Sequence, residues 1–292
     1  MRLLRAELGK LNRPLLWGLT VAAMLFCVLL AVGGSANASG RTRPCTGVDC
    51  TVGRMMALTV EVHTAEQLDP VAAGAEAAGL MASLPGALVI ALLAGGHVGG
   101  EWSGRTLKNV LTQCGHRWRV LAAKLVSLWL AGIGVLAACW AALAVAGPLI
   151  VAADHLPDPH QPVTVAAALA GEQAGRALLV LALFAAIGVL AAVLTRGTIG
   201  TMTAAAGTVL LMLVVAALPG TAAWTPATWV QGWMGFGAGQ KSITALPDNY
   251  WSRFIDSGAA PPGRLAGLVG LTATLVVCAV AAAAVFRRTD VT

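Results

Sequence analysis

Charge is scarce in this chain. Of its 292 residues, 11% are Asp, Glu, Lys or Arg, against about 25% in an average soluble domain, so a soluble globular fold is excluded. Tyrosine occurs once and phenylalanine five times beside nine tryptophans, which leaves small side chains to mediate most helix packing. The sequence has no Cys-x-x-Cys, no His-Glu-x-x-His and no Gly-x-Ser-x-Gly; His97 and Glu101 read His-x-x-x-Glu, which is not a metalloprotease pattern. Gly235 to Ser242 resembles a phosphate loop, but Gln240 stands where that loop needs glycine directly before Lys241, and nucleotide binding there is rejected. No enzyme constellation is left, and no metal site of its own is expected.

What remains is hydrocarbon. Apolar residues make up 58% and the mean hydropathy is +0.78. The apolar runs are long enough to cross a bilayer, so the chain reads as an all-α polytopic membrane protein with six transmembrane helices. The spans are expected at about 14–32, 71–98, 120–152, 172–194, 199–218 and 265–286, forming one domain over 14–292, with outer segments at 34–70 and 219–263. Pro85 is expected to kink the second span. Residues 1–13, with Leu3, Leu4, Leu8 and Leu11 among Arg2, Arg5, Lys10 and Arg13, read either as an amphipathic helix resting in the headgroup layer or as a plain basic flank. The start also mimics a secretory leader ending at Ala36-Asn37-Ala38, but its apolar run of about 19 residues exceeds the leader's 7–15.

Charge sets the expected topology. With six spans, one side holds 12 of the 19 Lys and Arg and three acids, Glu7, Glu101 and Asp290; the other holds seven cations and ten acids. Cations collect on the cytoplasmic side, so both termini are expected inside and residues 34–70 and 219–263 outside the cytoplasmic membrane. The net charge of +6 is read the same way, not as a nucleic-acid footprint. Lys124 is expected to snorkel to the inner interface.

A few polar positions carry candidate roles. Cys45 and Cys50 lie close together in a polar outer loop, with turn residues Gly47 and Asp49 between them, and read as a local disulfide, with free thiols or half a metal site as alternatives. His155 and His160 among two Asp can bind a metal or form a plain hydrophilic loop, and the loop is the preferred reading. Glu76 stands near the outer end of span two, as an acid of functional interest or simply a solvated or paired one. Glu172 and Arg176 are at i,i+4 in the favourable order, either as a structural pair or lining a substrate path. The tryptophans of 219–263 point to helices at the outer interface.

One polar island interrupts the hydrocarbon: residues 99–119 between spans two and three. Thr106 to Thr112 read as a short helix with Leu107, Val110 and Leu111 on one side and Arg105, Lys108 and Thr112 on another. Such a helix fits a groove in a soluble partner; the other reading is an ordinary basic inner loop. Here Gly100-Glu101-Trp102-Ser103-Gly104-Arg105-Thr106-Leu107-Lys108-Asn109-Val110-Leu111-Thr112, followed by Arg117 to Lys124, resembles the hallmark loop of ABC-2-type permeases (type V exporter-like). The opening Leu3 to Leu11 is similar to that family's start. The sequence departs from the commonest pattern at Ser103-Gly104-Arg105.

The resemblance implies a membrane-spanning permease subunit of an ATP-driven exporter, with no ATPase of its own. It implies partners as well: a cytoplasmic ABC ATPase subunit that holds ATP and Mg, and a second permease copy or homologue. In that family the loop is a cytoplasmic coupling helix, which would make Glu101, Arg105, Thr106, Leu107, Lys108, Val110 and Leu111 partner-coupling residues. With no dense charged site in its spans, the chain is expected to move an amphiphilic substrate: a peptide antibiotic, a drug or a lipid. A non-transport membrane scaffold or sensor, and an ion-coupled secondary transporter, are the other readings.

Overall fold

The computed structural model describes residues 2–11, 14–39, 50–107, 117–159, 161–216, 225–235 and 263–288. Among them all regular structure is helical. In chain order the helices are α1 (Arg2–Leu11), α2 (Pro14–Ser39), α3 (Cys50–Gln67), α4 (Ala73–Met81) and α5 (Leu84–Ala94). A π turn (Gly95–Gly99) follows. Then come α6 (Gly100–Ser103), α7 (Arg117–Ala153), α8 (Val163–Thr195), α9 (Thr198–Ala216), α10 (Pro226–Met234) and α11 (Arg264–Arg288).

Five stretches are long and apolar enough to cross a membrane: Pro14–Ala36, Leu84–Ser103, Trp118–Ala153, Val163–Thr195 and Arg264–Arg288. They make this a multi-pass membrane protein. The expected span at 199–218 falls on α9, whose apolar stretch Thr198–Met212 is shorter than these five, and residues 217–224 lie outside the described set.

The second span differs from the continuous, kinked 71–98 helix that the sequence led us to expect. Helix α4 ends at Met81, Ser83 is extended (φ −111°, ψ −172°), and Pro85 sits in the first turn of α5. Proline lacks an N–H and disfavours a helical residue before it, but suits a helix start. The chain therefore breaks and restarts instead of bending, and the crossing slides to Leu84–Ser103.

Helix α8 is the central post. It packs against α4, α5, α7, α9, α10 and α11. Its alanines and Gly188 let neighbours close in: a Cβ at Gly188 would stand 2.6 Å from that of Ala94 on α5, the close approach small residues permit within a membrane. Helix α2 lies on α7 and α3, with Trp17, Val21, Leu25 and Leu29 exposed along its other side.

Short helix α10 docks on α8 and α11. A Cβ at Gly267 would sit 2.7 Å from the Trp229 carbonyl oxygen and 2.8 Å from the Trp233 nitrogen. Both are backbone atoms that cannot swing aside, so Gly267→Ala is expected to destabilise the fold by about 1–2 kcal/mol through overpacking. Thermal unfolding in detergent, followed by tryptophan fluorescence, measures it; an unchanged midpoint would refute the contact.

Candidate functional site: a ring of four charges at the polar loop

Helix α1 turns Glu7 and Leu11 inward, leaving Arg5 and Leu8 exposed. Leu4, Glu7 and Leu11 follow helical spacing, so an acid lies within the stripe that packs on α7. Of the leucines at that spacing, Leu11 lies in this contact beside Glu7, and Leu8 is exposed.

On the facing side, the π turn adds a residue to the helical repeat and rotates everything beyond it by about 100° relative to α5. Glu101, at the start of α6, is buried. The turn lies hard against α9: a Cβ at Gly99 would be 2.6 Å from Thr201 Oγ1 and 2.8 Å from the Gly197 carbonyl oxygen. Ser103 Oγ accepts from the Thr198 amide at 3.0 Å and donates to the Gly99 carbonyl at 3.2 Å. Trp102 meets Phe286 of α11 edge-on at 6.2 Å, with the Arg196 guanidinium over its ring at 5.9 Å.

Four charges from three elements then close a ring. Lys10 Nζ stands 2.8 Å from Glu7 Oε1 and 2.9 Å from Glu101 Oε1. Lys124 Nζ stands 3.0 Å from Glu7 Oε2 and 2.7 Å from Glu101 Oε2. Each carboxylate gives one oxygen to each ammonium, and signs alternate round the ring. Lys124 donates a hydrogen bond to Glu7, whereas its approach to Glu101 Oε2 is close in distance but outside hydrogen-bond direction. His97, within the π turn, places Nε2 3.2 Å from Glu7 Oε2 and 3.2 Å from Ser127 Oγ.

Side-chain exposure is 1% for Glu7, 2% for Lys124, 7% for Glu101 and 32% for Lys10, so three corners are sealed and one faces the edge. Charges so buried persist only when paired. Apart from His97, two acids and two ammoniums cancel. Lys124 therefore does not snorkel to the interface: Glu7 and Glu101 reach it inside the protein.

The Glu7 carboxyl lies well below the usual carboxylate range. Burial pushes it up, but hydrogen bonds from His97 and the lysines, together with the Lys124 charge, outweigh that. At Lys10, burial pulls the ammonium down while Glu7 and Glu101 raise it more, leaving it above its ordinary value. The Glu7 contribution to stability is therefore complete above the unfolded carboxylate value, about 4.3, and is lost as pH falls through the depressed folded value. The Lys10 contribution is complete below about 10.4 and is lost as pH rises through the raised folded value. Thermal midpoints in lipid nanodiscs should hold a plateau between these limits, and Glu7→Gln should flatten the acid limb; an acid limb identical in Glu7→Gln would refute the assignment.

The other candidates are dispersed. Arg105 and Thr106 are exposed and Leu107 is buried; Lys108, Val110 and Leu111 lie outside the described residues, as does Cys45, and nothing is described of the Cys50 side chain. Glu76 is buried on α4. Arg176 is ion-paired with Glu172, places Nη1 3.5 Å from the Met234 carbonyl and lies over Trp233 at 5.9 Å; Arg264 approaches Glu172 at 3.8 Å. This second cluster ties α10 and α11 to α8. His160 also lies outside the described residues, among which no group of three potential metal-ligating His, Cys, Asp or Glu side chains stands together.

Glu7, Lys10, His97 and Ser127 do not stand out as site residues in the sequence alone. Two signals were available: Glu7-x-x-Lys10 on one helix face, and Lys124 stranded in an apolar run, where a buried cation requires an acid. No protein-family model matches the chain, and no curated protein matches it either.

Proposed function

We propose that this chain is the membrane-spanning permease subunit of an ATP-driven ABC exporter, with six spans and both termini cytoplasmic, moving an amphiphilic substrate across the cytoplasmic membrane. One observation carries the reading. Glu101, the acid at the head of the loop resembling a coupling helix, is gripped by lysines of two different helices, while Arg105 and Thr106 just beyond it face outward. A soluble partner can reach the exposed part, and a push on it has a stiff route into α1 and α7. ATP hydrolysis then belongs to the partner, and this chain supplies the path.

Co-purification with neighbouring gene products, followed by substrate-stimulated ATPase assay on any ATPase captured, tests the reading. Arg105→Glu alters an exposed side chain at little cost to the fold and is expected to weaken ATPase capture about tenfold by reversing a surface charge. Glu101→Ala is expected to abolish transport. If no ATPase co-purifies and transport survives Glu101→Ala, the exporter reading is lost.

A further inference from the structure

The ring joins segments far apart in the chain: Lys10 and Glu101 are separated by 91 residues, Glu7 and Lys124 by 117. We propose that Glu7 and Lys10 are positioning residues for the head of the polar loop, fixing where Glu101 sits, so that α1, residues 99–107 and the first turns of α7 move as one rigid body. The joint stands on the geometry alone; its consequence for transport rests on the permease reading above.

Each acid is held by both lysines and each lysine by both acids, so no corner can leave without stranding a charge of each sign. A single ion pair permits rotation about its axis; four alternating contacts from three elements do not. His97 adds a fifth support, bridging Glu7 to Ser127 of α7 from within the π turn. The groups facing this knot from the packed elements are Glu7 and Lys10 on α1, His97 and Glu101 on the crossing helix, and Lys124 with Ser127 on α7. The corners are also unequal. Lys124 is sealed and Lys10 is one-third exposed, so water can replace Lys10 far more readily, which makes the Lys10 corner the one that opens first when the loop is displaced.

Hydrogen exchange on the full-length protein in nanodiscs tests this. Glu7→Gln is expected to speed amide exchange about tenfold in residues 4–11 and 101–107 together, while the core of α8 stays protected, because local opening is cooperative within a joined unit. Lys10→Gln, at the half-open corner, should give the same paired response more weakly, and Arg5→Gln, on the exposed face of α1, should give neither. A ring inverted by Glu7→Lys, Lys10→Glu, Glu101→Lys and Lys124→Glu keeps the alternation and should restore the pairing.

If Glu7→Gln loosens the whole protein, Lys10→Gln decides. Faster exchange confined to 4–11 in Lys10→Gln, with 101–107 unchanged, overturns the proposal. Where an ATPase partner is captured, transport per ATP hydrolysed should fall about threefold in Lys10→Gln with capture unchanged, since the weaker local loosening uncouples motion without removing the docking surface. If no ATPase is captured at all, the permease reading fails, and the paired exchange still judges the joint.

Discussion

Lys124→Met is expected to cost the folded protein about 3–5 kcal/mol, the usual cost of removing one partner from a buried charge network. Methionine fills most of the lysine's volume, so packing changes little; electrostatics decides the outcome. Lys124 lies 3.0 Å from Glu7 and 2.7 Å from Glu101, and without it two buried carboxylates share the single ammonium of Lys10. A paired replacement separates this from any general intolerance at the site. Lys124→Met combined with Glu101→Leu leaves Glu7 and Lys10 as a balanced pair and should recover more than half of the loss, a non-additivity that contacting residues show and independent ones do not. Denaturant or thermal unfolding in detergent measures both variants. A single variant costing under about 1 kcal/mol, or strict additivity in the double, would mean that the ring does not act as a network.

Arg176→Met is expected to cost about 2–3 kcal/mol, combining a charged hydrogen bond with a cation–π contact. The arginine reaches Glu172 on its own helix, the Met234 carbonyl at the end of α10 and the face of Trp233. Trp233 in turn donates its indole N–H to the Arg176 carbonyl at 3.0 Å, a bond that survives the substitution. Helix α10 should therefore loosen and not detach. Trp233 emission should shift red, and quenching by a soluble agent should rise, with α7 and α8 unaffected. An unchanged spectrum would show that the Arg176 side chain does not hold α10.

Much of this architecture was legible in the residues. Apolar runs bounded by Pro14, Arg117 and Arg287–Arg288 located α2, α7 and α11, because composition and length suffice to identify a crossing helix. The break at Ser83 was harder to see: Pro85 in an apolar run is compatible with either a kink or a restart, and the choice depends on packing by α7 and α8 around α4. The ring was harder to read for another reason. Hydrophobic periodicity reports which face of a helix is buried, and Glu7 lies in such a face while being the residue least expected there. Its partners stand 91 and 117 residues away from their counterparts, and no local pattern encodes that distance. The polar loop itself was conspicuous, as a cluster of cations between two apolar runs; that its acid points inward was not.

The broken second span has a consequence for biogenesis. Helix α4 has nine residues, about 14 Å of length at 1.5 Å per residue, and spans less than half of a roughly 30 Å hydrocarbon core. The elements that cover it, α7 and α8, leave the ribosome after it. When α4 emerges, the insertion machinery meets a segment too short to partition into lipid by itself, and its final place becomes available only once the chain has been made through Thr195. The nascent protein must therefore hold α4 at the membrane surface or inside the translocon until its cover arrives, so α4 takes its place late although it is encoded before the Leu84–Ser103 crossing.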